Sequence, residues 1–591
     1  MSKSNYDIYR KAAFNQPSYY PIKQSIAPEL YRPIATWMGR LILPTKQKRH
    51  LAKGALFEIR HADSDRSHLV GQIVKLRWSR DPEVQRVVRS LAKDVRFTKE
   101  TEDSKRQGNI HGDRLNGWGK VNPLESLAGA RPEDDVMVML PEPVTVEEKD
   151  GEATLFIGQE PIQITGTFYG LVSIVEPTFQ GSDRFRVRHF NPESRIFDGR
   201  EEIVLFPKAR ANKNGALPST NRNLEMSPVN GNGWYIYGAK NAQEIFTVQA
   251  LAPRSFLRLY PDETISTEQA TTIYLKKQAW QDPASQKGQT KVAFLASKGQ
   301  KIRPSMSQWQ KGDRALVLHL FGGIGGKKKE FAPMGISFGH FAYGVARVIE
   351  EPLANELRFD IEYKQIYTHN TDGIISGTLS WANYIGDRQR GWLGSRPIGD
   401  IIVKLDCFTE DYDFDGIKLS PLNEFIRQLD IMAARYRIGD GTGATFVGPA
   451  NSCVQDSQQA LFMTIKIAKE KVQSNSQIQD WLKRNPHHPQ AQRFRELVLL
   501  RQSLERKLIP LGIVRSDWEK NTLTLGKPLG SNPLSNVFNA LASWRSLLPR
   551  LAWETVAEIL LQHGASMWIL RANQVGGFDP DIEPIAPTAV L

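Results

Sequence analysis

The chain has 591 residues, 40% of them hydrophobic, and 77 Lys+Arg against 64 Asp+Glu give it a formal charge of +13. That length suits roughly three to five globular domains, and the composition excludes disordered and fibrous classes. Two cysteines, Cys407 and Cys453, exclude a disulfide framework, and the opening MSKSNYDIYRK carries no apolar signal segment, so a reducing, cytoplasmic setting is expected. The apolar windows 33–44 and 547–570 are too short or too interrupted by charge to span a bilayer, so no transmembrane segment is expected.

The charge is uneven. Residues 1–120 hold 24 Lys+Arg against 12 Asp+Glu, almost the whole excess. Such a surface suits nucleic acid or an acidic partner, although runs such as Lys46-Gln47-Lys48-Arg49-His50 lack the interleaved aromatics that stack bases and also read as a solvated basic face.

Residues 1–53 are rich in Tyr and Pro and read as an arm draped over another domain. A basic β-rich domain is expected over 54–145, with strands at 55–60, 68–78 and 135–140 and a charged loop at 99–112. A second β-rich domain, barrel or sandwich, is expected over 146–282. Its strands fall at 153–157, 162–175, 184–190, 202–206, 234–237, 244–250 and 256–260, with a long loop at 208–233. The histidines of this half (His50, His61, His68, His111, His189) have no metal-ligand spacing and read as surface or core residues.

After a linker at 282–287, the region 309–475 opens with an apolar strand at 315–321 that runs into Gly322-Gly323-Ile324-Gly325-Gly326-Lys327-Lys328-Lys329. The Gly-Lys-Ser/Thr of a phosphate loop is missing, so a mobile loop beside a site is expected instead. A strand over 337–349 carries His340 near its start. A turn at 350–356 returns the chain through 357–367 to Thr368-His369-Asn370. A hairpin centred near Leu353 pairs position 340 with 366 or 367 and brings His369 to the same sheet edge. Cys407, in a strand at 401–408, reads as a small buried hydrophobe. A helix capped by Ser420 with Pro421 at its first position runs to Arg435 and ends at the glycines of 439–443.

Those glycines lead to Gly448-Pro449-Ala450-Asn451-Ser452-Cys453-Val454-Gln455. Ser452 and Gln455 form a capping box, which puts Cys453 in the first turn of a helix of about twenty residues. The positive helix end and its free N–H groups favour a thiolate there. The candidate parts are Cys453 as nucleophile, His340 as base, His369 or Asn370 as the orienting group, and the Cys453 backbone N–H as oxyanion donor.

The histidine opening a strand (Gly339-His340-Phe341), the polar residue on the next strand and the Asn451-Ser452-Cys453 helix start resemble the circularly permuted papain-like enzymes. These form the NlpC-type group that includes lecithin retinol acyltransferase, and the similarity covers about 309–475. In that group the histidine precedes the cysteine. Here the asparagine stands two residues before the cysteine, and His369 follows His340 by 29 residues. The resemblance implies an antiparallel sheet with a Cys-bearing helix, and hydrolysis or acyl transfer on an amide or ester through a Cys453 thioester, without metal or organic cofactor.

Tyr169-Gly170-Leu171 through Arg184-Phe185 overlays Tyr343-Gly344-Val345 through Arg358-Phe359 at a constant offset of 174, with Gly166 where the second copy has His340. Residues 476–591 form a helical C-terminal region, with helices at 490–508 and 544–562 and an extended tail. The expected fold class is therefore multidomain α+β: a β-rich N-terminal half, a papain-like α+β domain and a helical C-terminal region. The expected function is that of a thiol hydrolase or acyltransferase. The alternative is a non-enzymatic scaffold that binds nucleic acid or an acidic partner through its basic N-terminal part.

Overall fold

A computed structural model describes residues 19–42, 55–92, 124, 136–212, 214–297, 299–332, 335–370, 373–437, 453–508 and 548–589. The fold is mixed α+β and β-dominated. The first strands are β1 (Tyr31–Pro33), β2 (Met38–Ile42), β3 (Ala55–His61), β4 (Ile73–Trp78), β5 (Val136–Met139), β6 (Val144–Lys149), β7 (Glu152–Ile157) and β8 (Ile162–Gln163). Next come β9 (Phe168–Pro177), β10 (Arg184–His189), β11 (Glu201–Leu205), β12 (Trp234–Lys240), β13 (Phe246–Pro253), β14 (Glu263–Ile265) and β15 (Gln289–Leu295). The remainder are β16 (Arg314–Phe321), β17 (Gly323–Gly326), β18 (His340–Glu351), β19 (Glu356–Asn370), β20 (Gly373–Ser380), β21 (Pro397–Lys404), the small hairpin β22 (Tyr412–Phe414) and β23 (Ile417–Leu419), β24 (Ser566–Asn573) and β25 (Ile582–Ile585). The longer helices are α1 (Pro82–Ala92), α2 (Pro421–Arg437), α3 (Cys453–Ser474), α4 (Ser476–Arg484), α5 (Pro489–Leu508) and α6 (Pro549–Gln562).

One ladder of 15 strands runs through most of the chain, in the order β14-β15-β24-β21-β16-β18-β19-β20-β8-β5-β2-β3-β4-β7-β6. Its halves meet at the single pair Leu379↔Gln163. The sheet therefore crosses the domain borders expected from sequence. β24, from the region expected to be helical, lies between β15 and β21. Two other expectations change. Residues 254–257 form a helical turn where a strand was expected, and Cys407 lies in the turn Asp406–Thr409 rather than mid-strand. Burial pushes the Cys407 thiol up to about 12, which leaves it inert.

The other main sheet closes on itself. β9 pairs with β10 and β12, β10 with β11, β11 runs parallel to β13, and β13 returns to β12. β9 serves both neighbours in turn: Phe168–Val172 face β12, and Val172–Pro177 face β10. The result is a five-stranded barrel, extended by β1 along β9.

Alternation in the central strands decides what covers each sheet face. Leu316, Leu318, Leu320, Phe341, Tyr343, Ile401 and Val403 point to a core shared with α2, α3, α5 and α6. Val317, Phe321, Ala346, Val348, Tyr363 and Ile402 point to a core shared with the barrel. The central sheet is thus buried on both faces, which is why β16 and β21 read as nearly continuous apolar runs. Helix α2 begins where Ser420 Oγ accepts the Asn423 N–H at 3.3 Å. The α3 stripe of Val454, Leu461, Ile465 and Ala468 is buried against the sheet.

The glycine segment becomes strand β17, paired antiparallel with β25 of the tail. Lys327 reaches Asp581 at 3.2 Å and Lys328 reaches Asp579 at 2.9 Å. Gly326 has φ +78°, and a Cβ there would press on the tail backbone at Asp581 and Ile582. The glycines admit the tail strand, and the lysines bind its acids.

Candidate functional site

The hairpin expected around Leu353 forms. Tyr343 pairs with Lys364 and Glu351 with Glu356, a register that carries position 340 to 367. His369 pairs with Ile374 and Asn370 with Gly373; their side chains lie outside the described residues. The capping-box serine, Ser452, also lies outside them.

Strand alternation separates the two main parts of the expected thiol centre. Tyr343 faces α3, where its hydroxyl donates to Gln458 Oε1 at 2.9 Å. His340, three residues earlier, points to the other face. Its ring lies 5.4 Å from that of Phe321 in the barrel-side core, and its Nε2 lies 2.7 Å from Gln365 Oε1. Cys453 is half-buried at the start of α3 and packs on the helical-side core. The imidazole of the expected Cys453–His340 dyad is thus directed to the barrel-side core and the thiol to the helical-side core.

Sequence reading missed a polar centre on the His340 face. His319 Nδ1 lies 2.6 Å from Asp400 Oδ1, and the Tyr363 hydroxyl donates to Asp400 Oδ2 at 2.5 Å. A carboxylate only accepts, so Nδ1 carries the proton. Ala342 and Gly344 on β18 leave room for the Tyr363 ring to cross the strand, and it comes within 4.7 Å of the His319 ring. All three side chains are shut off from solvent, and burial with the Asp400 charge holds the Tyr363 hydroxyl well above its usual range. The signal was an aspartate inside the apolar run of β21.

The barrel offers an accessible surface. On β10, Phe185, Val187 and His189 point inward, and Arg184, Arg186 and Arg188 point outward. These arginines stand directly across from Leu205, Ile203 and Glu201 of β11, so cations alternate with apolar side chains. Ile203 is 38% exposed, and Phe179, in the connection between β9 and β10, is 69% exposed. Arg188 reaches Glu201 at 2.6 Å, and Arg186 lies 3.7 Å from both Glu176 and Glu201. Inside, His189 lies 2.8 Å from Glu202, which also accepts from Tyr31 of β1. Burial opposes ionisation of Glu202, but these hydrogen bonds outweigh it and hold the carboxyl below its usual range.

In the N-terminal basic region Arg40 and Arg60 share Glu58, and Arg66 pairs with Glu148, Lys75 with Glu152, Arg80 with Glu147 and Arg86 with Glu83. The loop at 99–112 lies outside the described residues. Among the described residues no group of three or more His, Cys, Asp or Glu is placed to hold a metal, and no helix is long and apolar enough to cross a membrane. The chain matches no family model, no curated protein and no solved structure.

Proposed function

We propose that the chain binds single-stranded nucleic acid across the outer β10–β11 face of its barrel. The connectivity supports this reading: strands taken in barrel order run first, second, third, fifth, fourth and back to first, with the third and fifth parallel. Five-stranded Greek-key barrels of the OB type share that arrangement and bind oligonucleotides on the face of their second and third strands. Fold alone does not establish function, so the surface must carry the argument. The carrying observation is the row of Arg184, Arg186 and Arg188 interleaved with Ile203 and Leu205, beside an exposed Phe179. Guanidiniums can follow a phosphodiester backbone while an aromatic ring stacks a base. The ion pairs to Glu176 and Glu201 are solvent-exposed, worth less than about 1 kcal/mol each, so phosphates can displace them.

The test is fluorescence anisotropy of a labelled single-stranded oligonucleotide with wild type and with Arg184→Ala/Arg186→Ala/Arg188→Ala. At about 1 kcal/mol per guanidinium, the triple variant loses roughly a hundredfold in affinity. Unchanged binding would rule the face out.

A second reading, hydrolysis or acyl transfer of an amide or ester through Cys453, is favoured by the position of that residue at the start of α3, where the helix dipole stabilises a thiolate. That reading also needs a base for the thiol, and His340 is directed to the barrel-side core rather than to the core on which Cys453 packs.

A further inference from the structure

We infer that a second, smaller anion site lies where the β11–β12 connection of the barrel meets the loop after β20 and the glycine segment. It takes a tetrahedral oxyanion, a phosphate, independently of the β10–β11 face. A cavity of about 40 Å³ opens there, with Arg210, Gln389, Arg390, Ser395, Arg396 and Glu330 in its wall. One water-sized group needs about 10–15 Å³, so the cavity holds about three to four such groups, the size of a small oxyanion.

The wall is built rather than incidental. Gln389 grips the Arg210 backbone, accepting its N–H at 2.9 Å and donating to its carbonyl at 3.4 Å. Asp387 Oδ1 accepts the N–H groups of Gln389 at 2.8 Å and Arg390 at 2.9 Å, which fixes the turn that presents Arg390. The Asp387 carboxylate also takes the Thr165 hydroxyl at 2.8 Å, and burial pushes its pKa up against the pull of Arg390. Arg396 lies over the rings of Trp392 (4.7 Å) and Phe321 (4.8 Å), bonds the Gly322 carbonyl and pairs with Glu330. Its Nε is buried without a partner. Arg210 is exposed and forms no ion pair among the described residues. Glu330 answers Arg396 and Asp387 stands behind Arg390, so the guanidinium of Arg210 leaves the wall with a net positive charge, which suits a phosphate oxyanion.

Calorimetric titration of the full chain with inorganic phosphate tests this, using wild type, Arg210→Ala and Arg390→Ala, with Arg184→Ala as the barrel-face control. One phosphate should bind per chain, about tenfold more weakly in the first two variants and unchanged in the control. Arg210 is on the surface, so Arg210→Ala keeps the test valid if Arg390→Ala does not fold. A 5′-phosphorylated oligonucleotide compared with its 5′-hydroxyl form identifies the source. Tighter binding of the phosphorylated form that is lost in Arg210→Ala assigns the site to a nucleic-acid end, and equal binding assigns it to a free anion. No phosphate binding at about 10 mM, or binding undiminished in Arg210→Ala, would overturn the inference whatever the barrel face does.

Discussion

Replacing Asp400 by alanine should destabilise the central sheet more than any surface change. The carboxylate takes a proton donor on each oxygen, at 2.6 Å from His319 and 2.5 Å from Tyr363, and all three side chains are fully buried. Alanine strands two buried donors at about 1–3 kcal/mol each and leaves a small cavity, giving about 3–5 kcal/mol in all. Asparagine keeps one acceptor and should cost roughly half as much, about 2 kcal/mol. The assay is urea unfolding followed by tryptophan fluorescence, since Trp568, Trp280 and Trp553 sit in the cores on either side of this sheet. A double-mutant cycle adds a sharper check. Tyr363→Phe should cost about 1 kcal/mol in wild type and should stabilise the Asp400→Ala background by about 1 kcal/mol, because there it removes one of the two stranded donors. Stability of Asp400→Ala within about 1 kcal/mol of wild type, or additive costs in the cycle, would refute a closed, dry network.

Other consequences are as direct. Cys453 should alkylate with iodoacetamide near pH 6 no faster than a helix-start thiol without a histidine partner; a strong acceleration abolished by His340→Ala would mean the two do meet. Burial pushes the carboxyl of the half-buried Glu362 up to about 7, against the pull of Lys364. Its folded pKa lies above its unfolded one, so the fold gains from the proton below the unfolded value and loses that gain as pH rises through about 7. Wild type should therefore lose about 3 kcal/mol relative to Glu362→Gln between acid and mildly alkaline pH; parallel profiles would contradict this. Gly326→Val should displace β25 from β17, seen as faster proteolysis after Gly577, because the tail backbone occupies the space a side chain would need.

What the sequence made legible follows its periodicities. The β18–β19 hairpin was readable because apolar alternation and the turn near Leu353 agree on one register, and α3 because Val454, Leu461, Ile465 and Ala468 keep helical spacing. The face to which His340 points was not readable. Which face a helix covers depends on long-range packing, and here α3 lies on the Tyr343 side. β24 was hidden because its apolar run SMWILRAN is continuous with the helical pattern before it, and a fully buried strand carries no alternation to betray it. The closed barrel was equally hidden. Its closure rests on a single parallel contact, Leu205↔Thr247, between strands separated by a long loop. The row of outward arginines was present in Arg184-Phe185-Arg186-Val187-Arg188, a strict alternation whose meaning depends on knowing that the opposite face is a barrel interior.

Photo-cross-linking of single-stranded oligonucleotide to the full chain, with adducts mapped by mass spectrometry, tests the central claim most directly. The account predicts adducts at Phe179 and within residues 176–205; adducts confined to residues before Lys120, or none at all, would contradict it.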